Sequence, residues 1–256
     1  MTDSLPLLIS IPHGGFRIPE ELEGRVSLQP EDMLDDSDAY TLDIYDLRAN
    51  VSGFVSTEIA RAFVDLNREV SDRPPQNPDG VVKSLTCYGK PVYKEGLEPD
   101  ERLIERLVER YYEPYHAAIR AASKDHRIEL ALDCHSMAAE GPAISPDVGK
   151  KRPALCLGNA HGRACQPEII ERLADCMRRA FSLKEEEVTI NLPFAGGHIT
   201  RTYGGNPLPW IQVEMSRALY LSPPWFDRST LTIDQSRLLQ LNRIFESALR
   251  MFFNLY

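Results

Sequence analysis

Cysteine is scarce in this 256-residue chain and occurs in no CxxC pair. Its five cysteines, Cys87, Cys134, Cys156, Cys165 and Cys176, are odd in number and scattered. That argues against a disulfide framework or a structural zinc ribbon and fits a reducing compartment. Long apolar runs are also missing, and nothing approaches the roughly 18 to 20 residues of a membrane helix. The opening Met1-Thr2-Asp3-Ser4-Leu5 has neither a basic stretch nor an apolar core, so no signal peptide is expected and the cytoplasm is the expected location. Positive charge is in deficit, with 29 Lys and Arg against 38 Asp and Glu and a net charge of -9. A nucleic-acid partner is therefore not expected, because such proteins need basic surface to displace counterions. A small anionic ligand stays possible, since a few clustered arginines override the average field. No GK[ST] loop, GxGxxG or HExxH is found.

Hydrophobic content of 43% supplies a sizeable core. Without repeats, low-complexity tracts or a clear linker, the chain reads as one domain spanning 1–256. Buried strands are predicted at Leu7–Ile11, at Gly53–Ile59 and in the run that ends at His135. Others are expected at Ala154–Gly158, Val188–Asn191 and Trp210–Ser216, with Ala62–Asn67 as a further strand or a bulged continuation. Helical periodicity runs from Glu98-Pro99-Asp100 to about Lys124, with Pro114 as a kink or joint. It returns from Pro167 to Phe181 and from Ile233 to Phe253, where Leu238, Leu241, Phe245, Ala248 and Phe252 share a face. Asp35-Asp36-Ser37-Asp38 is expected to cap a helix over Ala39–Leu47. Ser71 to Gly96 reads as a long loop and Phe194–Arg201 as a glycine-rich one. The alternation predicts an α/β fold: a mixed, mostly parallel central sheet with helices on both faces.

Two histidines end strand-like runs. His13 stands in Ile11-Pro12-His13-Gly14-Gly15 and His135 in Asp133-Cys134-His135-Ser136. Ligands in such sheets sit beyond the carboxyl ends of strands, so two distant imidazoles can share one site. A lone strand-end histidine commonly serves as a cap or core residue; two that share one sheet edge point to a metal site. Asp133 is placed to hold the second ring N–H of His135. Glu214 stands in the apolar run Ile211-Gln212-Val213-Glu214-Met215, where burial would raise its pKa toward that of a useful base. Phe16 occupies the place a glutamate would take in an HxxE pair, which leaves Asp35, Asp36 and Asp38 as the nearest carboxylates for a third ligand. Arg68 in Asp65-Leu66-Asn67-Arg68 and Arg201 in Gly196-Gly197-His198-Ile199-Thr200-Arg201 have the fork suited to a carboxylate, though most arginines end in surface ion pairs.

Read together, these pieces resemble the N-formylglutamate amidohydrolase family. The likeness spans Ile11-Pro12-His13-Gly14-Gly15 to Gln212-Val213-Glu214-Met215 and includes Asp36-Ser37-Asp38 and Tyr112-Glu113-Pro114-Tyr115-His116. The resemblance implies a fold like that of zinc exopeptidases, described also as phosphorylase/hydrolase-like. It implies one zinc ion on His13, Asp38 and His135, with Asp38 favoured over Asp36. It also implies substrate contacts from Asn67, Arg68, Thr200 and Arg201, and Glu214 as the base. The expected reaction is metal-assisted hydrolysis of a small anionic N-acyl amino acid, N-formyl-L-glutamate first, with no nucleic-acid or membrane partner. Alternatives are a related zinc hydrolase acting on another N-acyl amino acid or small peptide, and a non-catalytic metal- or anion-binding relative.

Overall fold

The computed structural model describes residues 4–143, 145–205 and 207–254. Elements follow in the order β1 (Leu5–Ile11), α1 (Pro30–Asp36), α2 (Thr41–Ile44), β2 (Val51–Ser56), α3 (Glu101–Leu107), α4 (Glu113–Ala122), β3 (Leu130–Met137) and β4 (Leu155–Gly158). Then come α5 (Pro167–Ala180), β5 (Val188–Ile190), α6 (His198–Tyr203), β6 (Trp210–Ser216), a short hairpin of β7 (Phe226–Asp227) and β8 (Thr232–Ile233), and α7 (Gln235–Phe252).

The sheet order is β2-β1-β3-β6-β4-β5. β2, β1, β3 and β6 run parallel; β4 is antiparallel to β6 and parallel to β5. The mixed, mostly parallel sheet is thus as expected. β3 is buried along its whole length, which is why its sequence reads as an apolar run interrupted only by site residues.

Alternation sorts the side chains of each strand between two faces. Leu7, Ile9, Leu132, Cys134, Val213 and Met215 join the core under α5 and α7. On α7, all five apolar residues expected on one face are buried. Leu8, Ala131 and Trp210 pack on the other face, beneath α3, α4 and the long segment after β2. Ser10, Asp133, His135, Gln212 and Glu214 share that second face by parity.

Asp100 caps α3 by accepting from the Leu103 amide at 2.8 Å, as the sequence suggests. Between α3 and α4 lies a π-helical turn, Val108–Tyr112, and Pro114 sits in the first turn of α4. Proline lacks the amide for an i→i−4 bond and its ring crowds the Arg110 carbonyl, so the helix widens there. This turn is the expected joint.

Three local expectations are corrected. Asp35 and Asp36 end α1 rather than starting the next helix, and Tyr40 (φ 62°) turns the chain before α2. Ala62–Asn67 is a series of turns, not a strand: Phe63 donates to the Ala60 carbonyl and Asp65 to that of Val81. Its apolar residues are buried beneath the loop instead of in the sheet. The glycine-rich loop stops at Gly197, and His198–Tyr203 is helical. Among the described residues, no helix is long and apolar enough to cross a membrane.

Candidate active site

His13 and His135 leave adjacent parallel strands at their carboxyl ends, and their rings lie 4.8 Å apart. Asp38 follows α1 and points its Oδ2 at both imidazoles, 3.4 Å from His13 Nδ1 and 2.9 Å from His135 Nδ1. All three residues are buried. Each has a ligand atom within 4.8 Å of those of the other two. Ligand atoms on one tetrahedral ion with bonds of about 2.0–2.2 Å lie ~3.3–3.6 Å apart, so the cluster closes on an ion with side-chain movements of about 1 Å.

The opposite nitrogen of each ring is tied down. His13 Nε2 meets Asp65 Oδ1 at 2.7 Å, and His135 Nε2 meets Asp133 Oδ2 at 3.1 Å. Both carboxylates accept from an Nε2–H, so Nδ1 of each ring is the nitrogen that faces Asp38 and that could ligate a metal once its proton is given up. His13 Nδ1 is buried and without a hydrogen-bond partner. An orphaned imidazole nitrogen beside a carboxylate and a second imidazole fits a divalent cation. Electrostatics agree. Burial alone would lower the pKa of His135, yet Asp133, Asp38 and Glu214 together raise it well above the ordinary value. The cluster favours a positive charge at its centre, which a metal can supply in place of a proton.

Asp36 has another occupation. Its carboxylate takes Lys83 Nζ at 3.1 Å and the Cys87 amide at 2.8 Å. The structure therefore brings Asp38, not Asp36, to the two histidines.

Glu214 sits on β6 opposite His135 on β3. Burial pushes its carboxyl up to about 7; the charge of His135 opposes that shift, and Asp38 and Asp133 add to it. Gln212, two residues earlier on the same face, donates to Glu214 Oε1 at 2.8 Å and accepts from the Gly197 amide. A Cβ on Gly197 would run into the side-chain amide of Asn67, so a larger residue here would displace Asn67 from its place beside the loop.

His13, Asp38, His135 and Glu214 open into a cavity of about 470 Å³. Asn67, Arg68 and Arg201 also line it. Asn67 Oδ1 accepts from the Ile199 amide at 2.7 Å, and its Nδ2 lies 3.3 Å from His135 Nε2. Arg68 is partly committed, with Nη2 on Asp79 at 2.7 Å. Arg201 is exposed on α6 and faces the cavity without an ion pair among the described residues. Thr200 departs from expectation. It is buried, does not line the cavity, and donates to Asp133 Oδ2 at 3.3 Å.

The sequence reading missed several residues. Asp65 grips His13 and takes Arg61 at 2.9 Å. Arg217, just beyond β6, reaches Ser136 Oγ at 3.1 Å, the Asp35 carbonyl at 2.8 Å and Asp38 Oδ1 at 3.4 Å. It fixes the far oxygen of the carboxylate whose near oxygen faces the histidines. Gln212 was findable from strand parity, since it lies two residues before Glu214. Asp65 and Arg217 carry no such signal.

The family model for N-formylglutamate amidohydrolase matches residues 5–221. The chain belongs to the N-formylglutamate amidohydrolase family. Two relatives are N-formylglutamate deformylases of Pseudomonas. The one from Pseudomonas putida is 30% identical over 85% of this chain and 82% of its own length. That from Pseudomonas aeruginosa is 27% identical with the same coverage. A crystal structure of N-formylglutamate amidohydrolase from Ralstonia eutropha JMP134 shares the fold, with a TM-score of 0.76 at 20% identity over 99% of this chain and 95% of that one. A gene product of Agrobacterium tumefaciens has the same fold, with a TM-score of 0.66 at 16% identity over 97% and 92%. Membership in the family accords with the motifs that carried the resemblance.

Proposed function

We propose that this protein hydrolyses the amide of a small N-acylated acidic amino acid, N-formyl-L-glutamate first, giving glutamate and formate. The carrying observation is the buried His13–Asp38–His135 group with Glu214 opposite His135 in register. Family membership supports the same reading.

One divalent ion, zinc by preference, would be held by His13, Asp38 and His135. When bound, it supplies Lewis acidity toward the amide carbonyl and toward water. Asp65 and Asp133 keep both imidazoles in the ligating tautomer. Gln212 fixes Glu214 Oε1, which leaves Oε2 to take a proton from the attacking water. The water oxygen bonds to the formyl carbon, the C–N bond breaks, and Glu214 returns its proton to the leaving nitrogen. Arg201 takes one substrate carboxylate and Arg68 the other, through charge-assisted pairs. Asn67 lines the same cavity, whereas Thr200 acts through Asp133. This places an anionic substrate on an acidic protein.

The test is a substrate panel on protein of measured metal content: N-formyl-Glu, N-acetyl-Glu, N-acetyl-Asp and small peptides. Preferred turnover of N-formyl-Glu, lost in Glu214→Gln with metal retained, is the expected result. Turnover of another member alone moves the assignment to a relative of different specificity. Metal binding without any turnover makes the protein a binding module.

A further inference from the structure

The motif Tyr112-Glu113-Pro114-Tyr115-His116 has no part in the chemistry above, yet it lies directly behind the two arginine-bearing segments. The widened turn before Pro114 stacks Tyr112 on His116, with ring centroids 4.1 Å apart. His116 is buried. Its Nε2 lies 3.0 Å from the Leu66 carbonyl and its Nδ1 2.8 Å from the Tyr203 hydroxyl. Burial pushes His116 down to about 4, so the ring is neutral near pH 7. It donates through Nε2 to Leu66 and accepts at Nδ1 from Tyr203. The Tyr112 hydroxyl donates to the Arg68 carbonyl at 2.8 Å and lies 3.3 Å from His198 Nε2.

Two bridges result. Leu66 connects through His116 to Tyr203, and Arg68 connects through Tyr112 to His198. Leu66 and Arg68 flank Asn67, while His198 and Tyr203 are the ends of α6, which carries Arg201. Asn67 itself makes a third tie, to the Ile199 amide.

We propose that Tyr112, His116 and Tyr203 are positioning residues that lock the Leu66–Arg68 segment to α6, and so set the span between Arg68 and Arg201 that selects the length of a dicarboxylate substrate. The inference rests on the two-arginine reading above. Neither tyrosine nor His116 lines the cavity, so the effect passes through the segments they hold. A shift of about 1 Å in such a frame is enough to cost ~100-fold in a well-aligned reaction.

The test compares Tyr203→Phe, His116→Leu and His116→Gln with the wild type. Readouts are kcat and KM for N-formyl-Glu and N-formyl-Asp, metal content, and amide hydrogen exchange at 66–68. Tyr203→Phe is expected to raise KM for N-formyl-Glu about 3- to 10-fold, the effect of one lost hydrogen bond. kcat and metal content should stay unchanged, and the preference between the two substrates should shrink. Exchange at 66–68 should quicken although the substitution is on α6. His116→Leu should do more, and His116→Gln, which keeps a donor for Leu66, should restore part of the loss. Unchanged KM with unchanged exchange at 66–68 overturns the proposal, as does a fall in kcat together with metal loss. If the wild type turns over neither substrate, the proposed function fails separately. Exchange then decides: faster exchange at 66–68 in Tyr203→Phe, at unaltered global stability, supports the lock, and unchanged exchange overturns it.

Discussion

His135 and Glu214 are direct register partners on β3 and β6, and both are buried on the same face of the sheet. The proposed ligand histidine and the proposed base are thereby set side by side by backbone hydrogen bonding instead of by a flexible loop. The arrangement also explains the raised pKa of Glu214, whose carboxylate has exchanged water for a protein interior that holds two further carboxylates.

Asp65→Asn and Asp133→Asn should each weaken metal binding about 10- to 100-fold, as loss of the carboxylate behind a ligand histidine does elsewhere. Chelator competition measures this. Unchanged affinity in both variants would rule out the carboxylate–imidazole–metal arrangement.

The stability of chelator-treated protein should depend on Glu214. Its folded-state pKa, about 7, lies above the ordinary value of 4.5. The stability contributed by the protonated form is therefore fully present below about 4.5 and is lost as pH rises through 7. Glu214→Gln has no such loss. The variant should gain on the wild type between pH 4.5 and 8, by ~3 kcal/mol at most. Urea titrations at both pH values decide it; parallel pH curves would contradict the buried-carboxylate assignment.

Arg201→Met should raise KM for N-formyl-Glu about 10- to 100-fold, the worth of a charge-assisted pair, and leave stability unchanged. Arg68→Met should differ. Arg68 also pairs with Asp79 at 2.7 Å, so the variant loses stability as well as affinity. Equal hydrolysis of N-formyl-Glu and N-formyl-Ala by the wild type would defeat the two-arginine model.

Lys83 is fully buried, with Nζ 2.7 Å from Asp79 and 3.1 Å from Asp36. Lys83→Met should cost about 3–5 kcal/mol, because it strands carboxylates away from water. The unfolding midpoint reports it. A loss under about 1 kcal/mol would show that the network tolerates uncompensated charge, as surface pairs do.

Much of this protein was legible in the chain itself. Apolar runs located β1, β3, β4 and β6, because strands buried on both faces are largely apolar, and a short β-branched run located the edge strand β5. Periodicity located α5 and α7, and Pro114 marked the joint before α4. His13, His135 and Glu214 stood out because each is a polar residue that burial would penalise unless it had work to do. Tertiary structure decided what local sequence leaves open. Ala62–Asn67 is apolar because a loop buries it, and no periodicity distinguishes that from a strand. Asp36 and Asp38 are chemically alike and two residues apart; only the end of α1 at Ser37, where the backbone turns extended, and the position of Lys83 send one to a cation and the other to the histidines. Asp65 and Arg217 reach the site across 52 and 179 residues of chain. Such pairings follow from which strands lie side by side, and strand order is set by the packing of the whole sheet.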